Sequence, residues 1–226
     1  MKTHKIYYGW YVAAAAGLAI ASSIAVFISS TIGLLAGPLA KELGWSLKDI
    51  FLAPTVAVTI TILVAPFIGG LADRFGAIRI ITFALVAQAL LMASFYLIDN
   101  NIWLFYARYA ALALLSTGAT AVTFAGVISR WFDRRRGLAL GIALAGIGIG
   151  GVIWSLLTQT LFDLVGWRTS FLYMAAVVAF VVLPVVLLVV RNSPEDMGLH
   201  IDSDNPACAT CRTAVSAAAQ SGKNTA

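Results

Sequence analysis

Apolar positions fill this chain in six long runs, each closed by a short polar or charged stretch. The runs show neither the strict alternation of half-buried strands nor the polar stripe of a surface helix. Each reaches the roughly 20 residues that a helix needs to cross the ~30 Å hydrocarbon core of a bilayer. They lie at about 8–35, 50–71, 79–98, 102–129, 138–164 and 169–190. The pattern predicts an all-α fold, a polytopic membrane helix bundle of six transmembrane helices occupying residues 1–191. Residues 192–226 are rich in Ser, Ala, Thr and Asn and read as a disordered tail or the start of a linker. Ala19-Ile20-Ala21 resembles a signal-peptide cleavage site, but the first run continues through Ile28 and five more follow, so a retained span is expected.

Composition agrees with the pattern. The chain is 61% hydrophobic and 11% charged, where a soluble domain is about 45–50% apolar and about 25% charged. Too few charges remain to coat a water-soluble surface, and the bilayer is the expected surrounding. The net charge of +5 does not mark a nucleic-acid partner, because the basic residues cluster between the runs. Lys2, Lys5, Arg74, Arg79, Arg130, Arg134, Arg135, Arg136 and Arg191 fall on one side. Lys41, Lys48 and Arg168, each close in sequence to an acid, fall on the other. The positive-inside bias places both termini in the cytoplasm.

Candidate chemistry is sparse. His4 and His200 lie outside the runs, and no carboxylate pair, nucleophile–base set or metal cluster occurs at membrane depth. The expectation is a non-enzyme with no cofactor and no metal. Cys208-x-x-Cys211 supplies half a zinc site at most and reads as an incidental pair in the tail. Gly146-x-Gly148-x-x-Gly151 matches a dinucleotide fingerprint, yet no strand precedes it. Gly137, Gly141, Gly146, Gly150 and Gly151 read instead as helix-packing positions, with glycines four apart permitting close approach.

Polar groups within the spans form a second set. Arg108 lies about 9 Å inside the fourth span at 1.5 Å per residue. It either faces a cavity as an anion or coupling group or snorkels to the interface. Ser22 and Ser29 are seven apart on the first span, as are Ser23 and Ser30, while Ser116, Thr120 and Thr123 share a face of the fourth. These hydroxyls either line a cavity between spans one and four or act as helix-packing groups.

Between spans two and three stands GGLADRFGAIRI, residues 69–80. Gly69 would let span two pack closely on a neighbour, Gly76 supplies a tight turn, and Asp73 can pair with an arginine or helix amides. A plain turn with topogenic arginines would have the same composition. However, Gly69-x-x-x-Asp73-Arg74-x-Gly76-x-x-Arg79 resembles the signature loop of the major facilitator superfamily, except that Ala77 and Ile80 stand at positions often basic. YYGWYVAAA at the start, SRWFDRRRGLALGIALAG, the GWR at 166–168 and RNSPEDMGL are similar to bacterial monocarboxylate or oxalate/formate-type transporters of that superfamily.

The resemblance implies the N-terminal half of such a fold, six spans built as a 3+3 repeat, in a bacterial inner membrane. It further implies a secondary transporter moving a small carboxylate or similar organic anion by alternating access, by exchange or with a proton. Asp73 with Arg74, Gly76, Arg79 and Gly69 would form a cytoplasmic gate whose partner is Arg130. Arg108 would be a candidate for substrate or coupling. Twelve spans make a complete transporter of this kind, so the chain is expected to be a truncated N-terminal half, a half partnered by a second six-span polypeptide, or one that pairs with a homodimer partner. The alternative is a non-transporting membrane scaffold or a fragment without activity of its own.

Overall fold

A computed structural model describes residues 8–98 and 101–191. Lys2, Lys5, His4, His200, Cys208, Cys211 and the whole segment 192–226 lie outside the described residues. Among the described residues there is no strand, and six helical segments are long and apolar enough to cross a membrane.

Span one consists of α1 (Gly9–Ala21) and α2 (Ile24–Leu43), span two is α3 (Leu47–Phe75), and span three is α4 (Ala77–Ser94) with a 3-10 turn at Phe95–Leu97. Span four is α5 (Ile102–Ser116), a 3-10 turn at Thr117–Ala119 and α6 (Ala121–Trp131). Span five is α7 (Arg136–Val165); span six is α8 (Trp167–Val177), a π turn at Val178–Val182 and α9 (Leu183–Val189).

Local chemistry accounts for most of the ends. Gly44 closes α2 in the left-handed region (φ 67°), and Asn101 caps α5 by accepting from the Trp103 amide at 3.0 Å. Pro184 stands where the π turn gives way to α9, the kind of local ladder adjustment that accommodates a proline within a membrane helix. Two ends differ from expectation. α2 runs on to Leu43, carrying Lys41 and Glu42 in its last turn. α3 runs on to Phe75, so Asp73 and Arg74 belong to a helix end and not to a loop; Gly76 alone joins α3 to α4. Helix continues in both places because nothing but glycine at Gly44 and Gly76 forbids it.

Span one packs chiefly on span five, span two on span four, and span three on spans four and six. Exchanging spans one to three for spans four to six turns the first of these pairings into the second and leaves three–six unchanged. That is the arrangement of an inverted 3+3 repeat. Burial is uneven: 78% of the most apolar stretch of span one is enclosed, against 17% in each of spans two and five. Span one is therefore the core, and spans two and five turn most of their surface outward. Phe95, Phe105, Tyr109 and Phe171 stack at the three–four–six junction. Outward-facing Phe67, Trp103 and Phe180 suit hydrocarbon, which is as apolar as their own side chains.

Candidate functional site: an ion pair between two helix ends and two interrupted spans

Gly76 adopts φ 92°, ψ 131°, and its amide donates to the Ala72 carbonyl at 3.0 Å. A side chain is strongly disfavoured in that backbone region. The sharp reversal leaves Asp73 in the last turn of α3, beside Arg130 in the last turn of α6. Arg130 Nη2 donates to Asp73 Oδ1 at 3.0 Å, with the side chains 43% and 78% exposed respectively. Water screens such a pair, so it holds its two helix ends together by only about 0–1 kcal/mol. The guanidinium of Arg74 lies 5.6 Å from the Phe75 ring centre, and Arg79 is exposed on the first turn of α4. Gly69 has open space beside it; the close packing expected there does not occur among the described residues, because this part of α3 faces outward.

Beside the ion pair lies an aromatic cluster that sequence reasoning missed. Trp131 is fully buried, and its indole N–H donates to the Arg191 carbonyl at 3.0 Å. The Tyr8 hydroxyl donates to the Val189 carbonyl at 3.0 Å, and its ring lies 5.7 Å from that of Trp131. Trp10 meets Phe132 edge-on at 5.2 Å. Together they join the start of span one to the ends of spans four and six. The available signal was the clustering of Tyr8, Trp10, Trp131 and Phe132 at apolar–charged borders, where amphipathic rings collect.

Both span one and span four are interrupted near mid-membrane. In span one the break falls at Ser22 and Ser23; in span four it falls at Thr117–Ala119 and Thr120. These breaks separate hydroxyls that share a face on an unbroken helix. Ser22 is buried and bonds the Leu18 carbonyl at 3.3 Å, whereas Ser29 is exposed and bonds the Val26 carbonyl at 3.0 Å. Ser30 bonds Val26 and reaches the Gly151 carbonyl at 3.4 Å. Ser116 and Thr123 are buried and Thr120 is half-buried at the N-terminus of α6. The hydroxyls thus fall partly into helix packing and partly outside it.

Arg108 sends Nη2 to the Leu97 carbonyl at 2.8 Å, closing the last turn of span three. Its guanidinium is directed toward the end of the bundle opposite the Asp73–Arg130 pair. On that side Arg168 pairs with Glu42 at 3.9 Å and lies over the Trp167 ring at 4.8 Å.

Of the span-five glycines, Gly146 and Gly150 meet span one. A Cβ on Gly146 would collide with the Gly17 carbonyl, and one on Gly150 would lie 2.6 Å from the Ala21 Cα. Gly137, Gly141 and Gly151 have open space beside them, so the packing expected of them does not occur among the described residues. A helix presents only one face to a given neighbour, and those three lie off that face. Gly118, not among the expected sites, is also tight, though less so: a Cβ there would stand 2.9 Å from the Ile80 Cγ2 and 3.0 Å from the Ala84 Cβ.

The Major Facilitator Superfamily model matches residues 18–208. Monocarboxylate transporter 11 of Mus musculus is 31% identical over 173 residues, which is 75% of this chain and 37% of that protein. The MFS-type transporter pynF of Aspergillus niger is 28% identical over 171 residues, 72% of this chain and 36% of its own length. The riboflavin transporter RibJ of Trypanosoma brucei brucei is 36% identical over 95 residues, 42% of this chain and 17% of its own. The chain spans just over a third of the length of the first two relatives.

Proposed function

The chain belongs to the Major Facilitator Superfamily, and from that premise we propose that it is the six-span N-terminal half of a secondary transporter for a small carboxylate or similar organic anion. A bacterial inner membrane, with both termini cytoplasmic, is the proposed setting. The carboxylate class rests on the sequence motifs and on relatives named as monocarboxylate transporters. Transport proceeds by alternating access, as exchange or together with a proton, and a complete transporter joins these six spans to six more, from a continuation of the same polypeptide, another chain or a second copy of this one.

The observation that carries the reading is the Arg130–Asp73 pair at 3.0 Å. It ties the inner end of span two to that of span four, the place where a cytoplasmic gate must close. A gate must also reopen, and a solvent-screened pair of about 0–1 kcal/mol can be broken in each cycle. Arg74, Gly76 and Arg79 complete this gate, with Gly69 on the open side of α3. Arg108, Ser116, Thr120, Thr123, Ser22 and Ser29 are proposed to serve the substrate path, from the two spans interrupted near mid-membrane.

The test uses the full chain in proteoliposomes, alone and together with candidate second halves, and measures uptake of radiolabelled lactate, formate and oxalate. The reading expects uptake in at least one assembly of two-chain mass. It also expects Asp73→Asn to slow that uptake severalfold while membrane insertion stays intact. Unchanged uptake in Asp73→Asn would remove the gate, and no uptake from any assembly would leave a non-transporting scaffold or a fragment without activity of its own.

A further inference from the structure

Span one is interrupted where no residue requires it. Ser22 (φ −99°, ψ 10°) and Ser23 (φ −63°, ψ 156°) lie in backbone regions open to any residue, and neither position is glycine or proline. Serine is a middling helix former that continues a helix readily. The break nonetheless leaves polar backbone exposed to an apolar interior. The ladder of α2 starts with the Phe27 amide donating to the Ser23 carbonyl at 2.9 Å, so the Ser22 carbonyl falls outside it. With no water in the hydrocarbon core, such a group needs a partner from the protein.

Gln88 supplies it. The side chain comes from the middle of span three, is fully enclosed, and donates from Nε2 to the Ser22 carbonyl at 2.7 Å. Its Oε1 has no hydrogen-bond partner among the described residues. The amide is thus placed in the core for a single bond, and that bond goes to a carbonyl that the break releases.

We propose that Gln88 is the positioning residue that holds span one interrupted, and that span one closes into a continuous helix when this bond is lost. α1 is fixed to span five through Gly17 against Gly146 and Ala21 against Gly150. α2 also meets span five, through Ser30 at 3.4 Å from the Gly151 carbonyl, a looser contact than the backbone approach of α1. The closure therefore acts on α2, releasing that contact and turning Ser29 and its face relative to the anchored inner half. The interrupted form accompanies the closed Asp73–Arg130 pair. On the alternating-access reading, on which the use of this switch rests, release of Gln88 belongs to opening of the inner side.

The experiment measures geometry and needs no substrate, so its failure is distinct from a failure of transport. Spin labels are placed at Tyr11 and Gly33, both exposed on span one, in the full chain with Cys208 and Cys211 replaced by serine. A control pair goes at Leu138 and Leu164 on span five, also exposed. Distances are read by pulsed electron resonance in bilayer nanodiscs. An unbroken helix between Tyr11 and Gly33 gives about 33 Å at 1.5 Å per residue. The protein with Gln88 is expected away from that value. Gln88→Met, of similar length without the donor, and Gln88→Asn, too short to reach, are both expected to move to it while the control pair stays. Ser22→Ala with Ser23→Ala keeps Gln88 and is expected to keep the interrupted distance. A span-one distance unaltered in Gln88→Met and Gln88→Asn overturns the proposal. A shift of both pairs together overturns it as well, since Gln88 would then support the whole bundle.

Discussion

At the scale of single residues, the clearest assignment is Gly76. Its φ of 92° is one of three positive values among the described residues, all at glycines that end helices. Gly76→Ala is expected to cost about 1–3 kcal/mol through backbone strain alone, read as a lower unfolding temperature in detergent. No change would mean that the reversal relaxes to another turn. Asp73 and Arg130 behave differently, because an exposed pair contributes little to stability. In the proposed gate the pair is broken and remade, so Asp73→Asn belongs in a transport assay and not in a melting experiment. The pairing of Asp73 with Arg130 could be inferred from the chain because both close a helix on the same side. The destination of Arg108 could not: a long cationic side chain reaches several carbonyls from one Cα, and Leu97 is chosen by how spans three and four lie.

At the scale of elements, helix-on-helix approach divides the glycines. Those on span five look alike in sequence, yet only Gly146 and Gly150 face backbone of span one. Gly146→Val is expected to destabilise the bundle by about 1–3 kcal/mol or more, the ordinary cost of overpacking, because the Gly17 carbonyl cannot move aside alone. Gly141→Ala, with open space beside it, is expected to be neutral or to stabilise by up to about 1 kcal/mol through helix propensity. The two melting temperatures should therefore move apart, and equal shifts would refute the assigned face. The six spans themselves were legible, since apolar length and the requirement for internal hydrogen bonding leave helices as the only reading of such runs. The interruptions at Ser22 and at Thr117 were not. Neither site carries a proline, and Gly118 sits in a composition no different from unbroken glycine-bearing stretches of span five. A partner side chain from a distant span, Gln88 in the first case, makes the break tolerable.

At the scale of the whole molecule, the orientation rests on where lysine and arginine gather. With Cys208 and Cys211 replaced, Asn101→Cys should react with a membrane-impermeant maleimide from outside the cell, and Arg135→Cys only after the membrane is opened. The reverse pattern would invert every statement about inner and outer ends. The bundle packs as an inverted 3+3 repeat, although residues 1–98 and 102–190 show no evident repeat in sequence. Such symmetry lives in which spans touch, and many apolar sequences satisfy the same contacts. What the chain determines by itself is the solvent it demands, the number of its crossings and the positions of its charged ends, because these follow from composition and length alone. Tertiary structure decides which glycines meet a neighbour, which hydroxyls are enclosed, where Arg108 reaches and where spans one and four break. In a bilayer the apolar faces of a helix are equivalent to the lipid, so only the packing of one span against another can tell them apart.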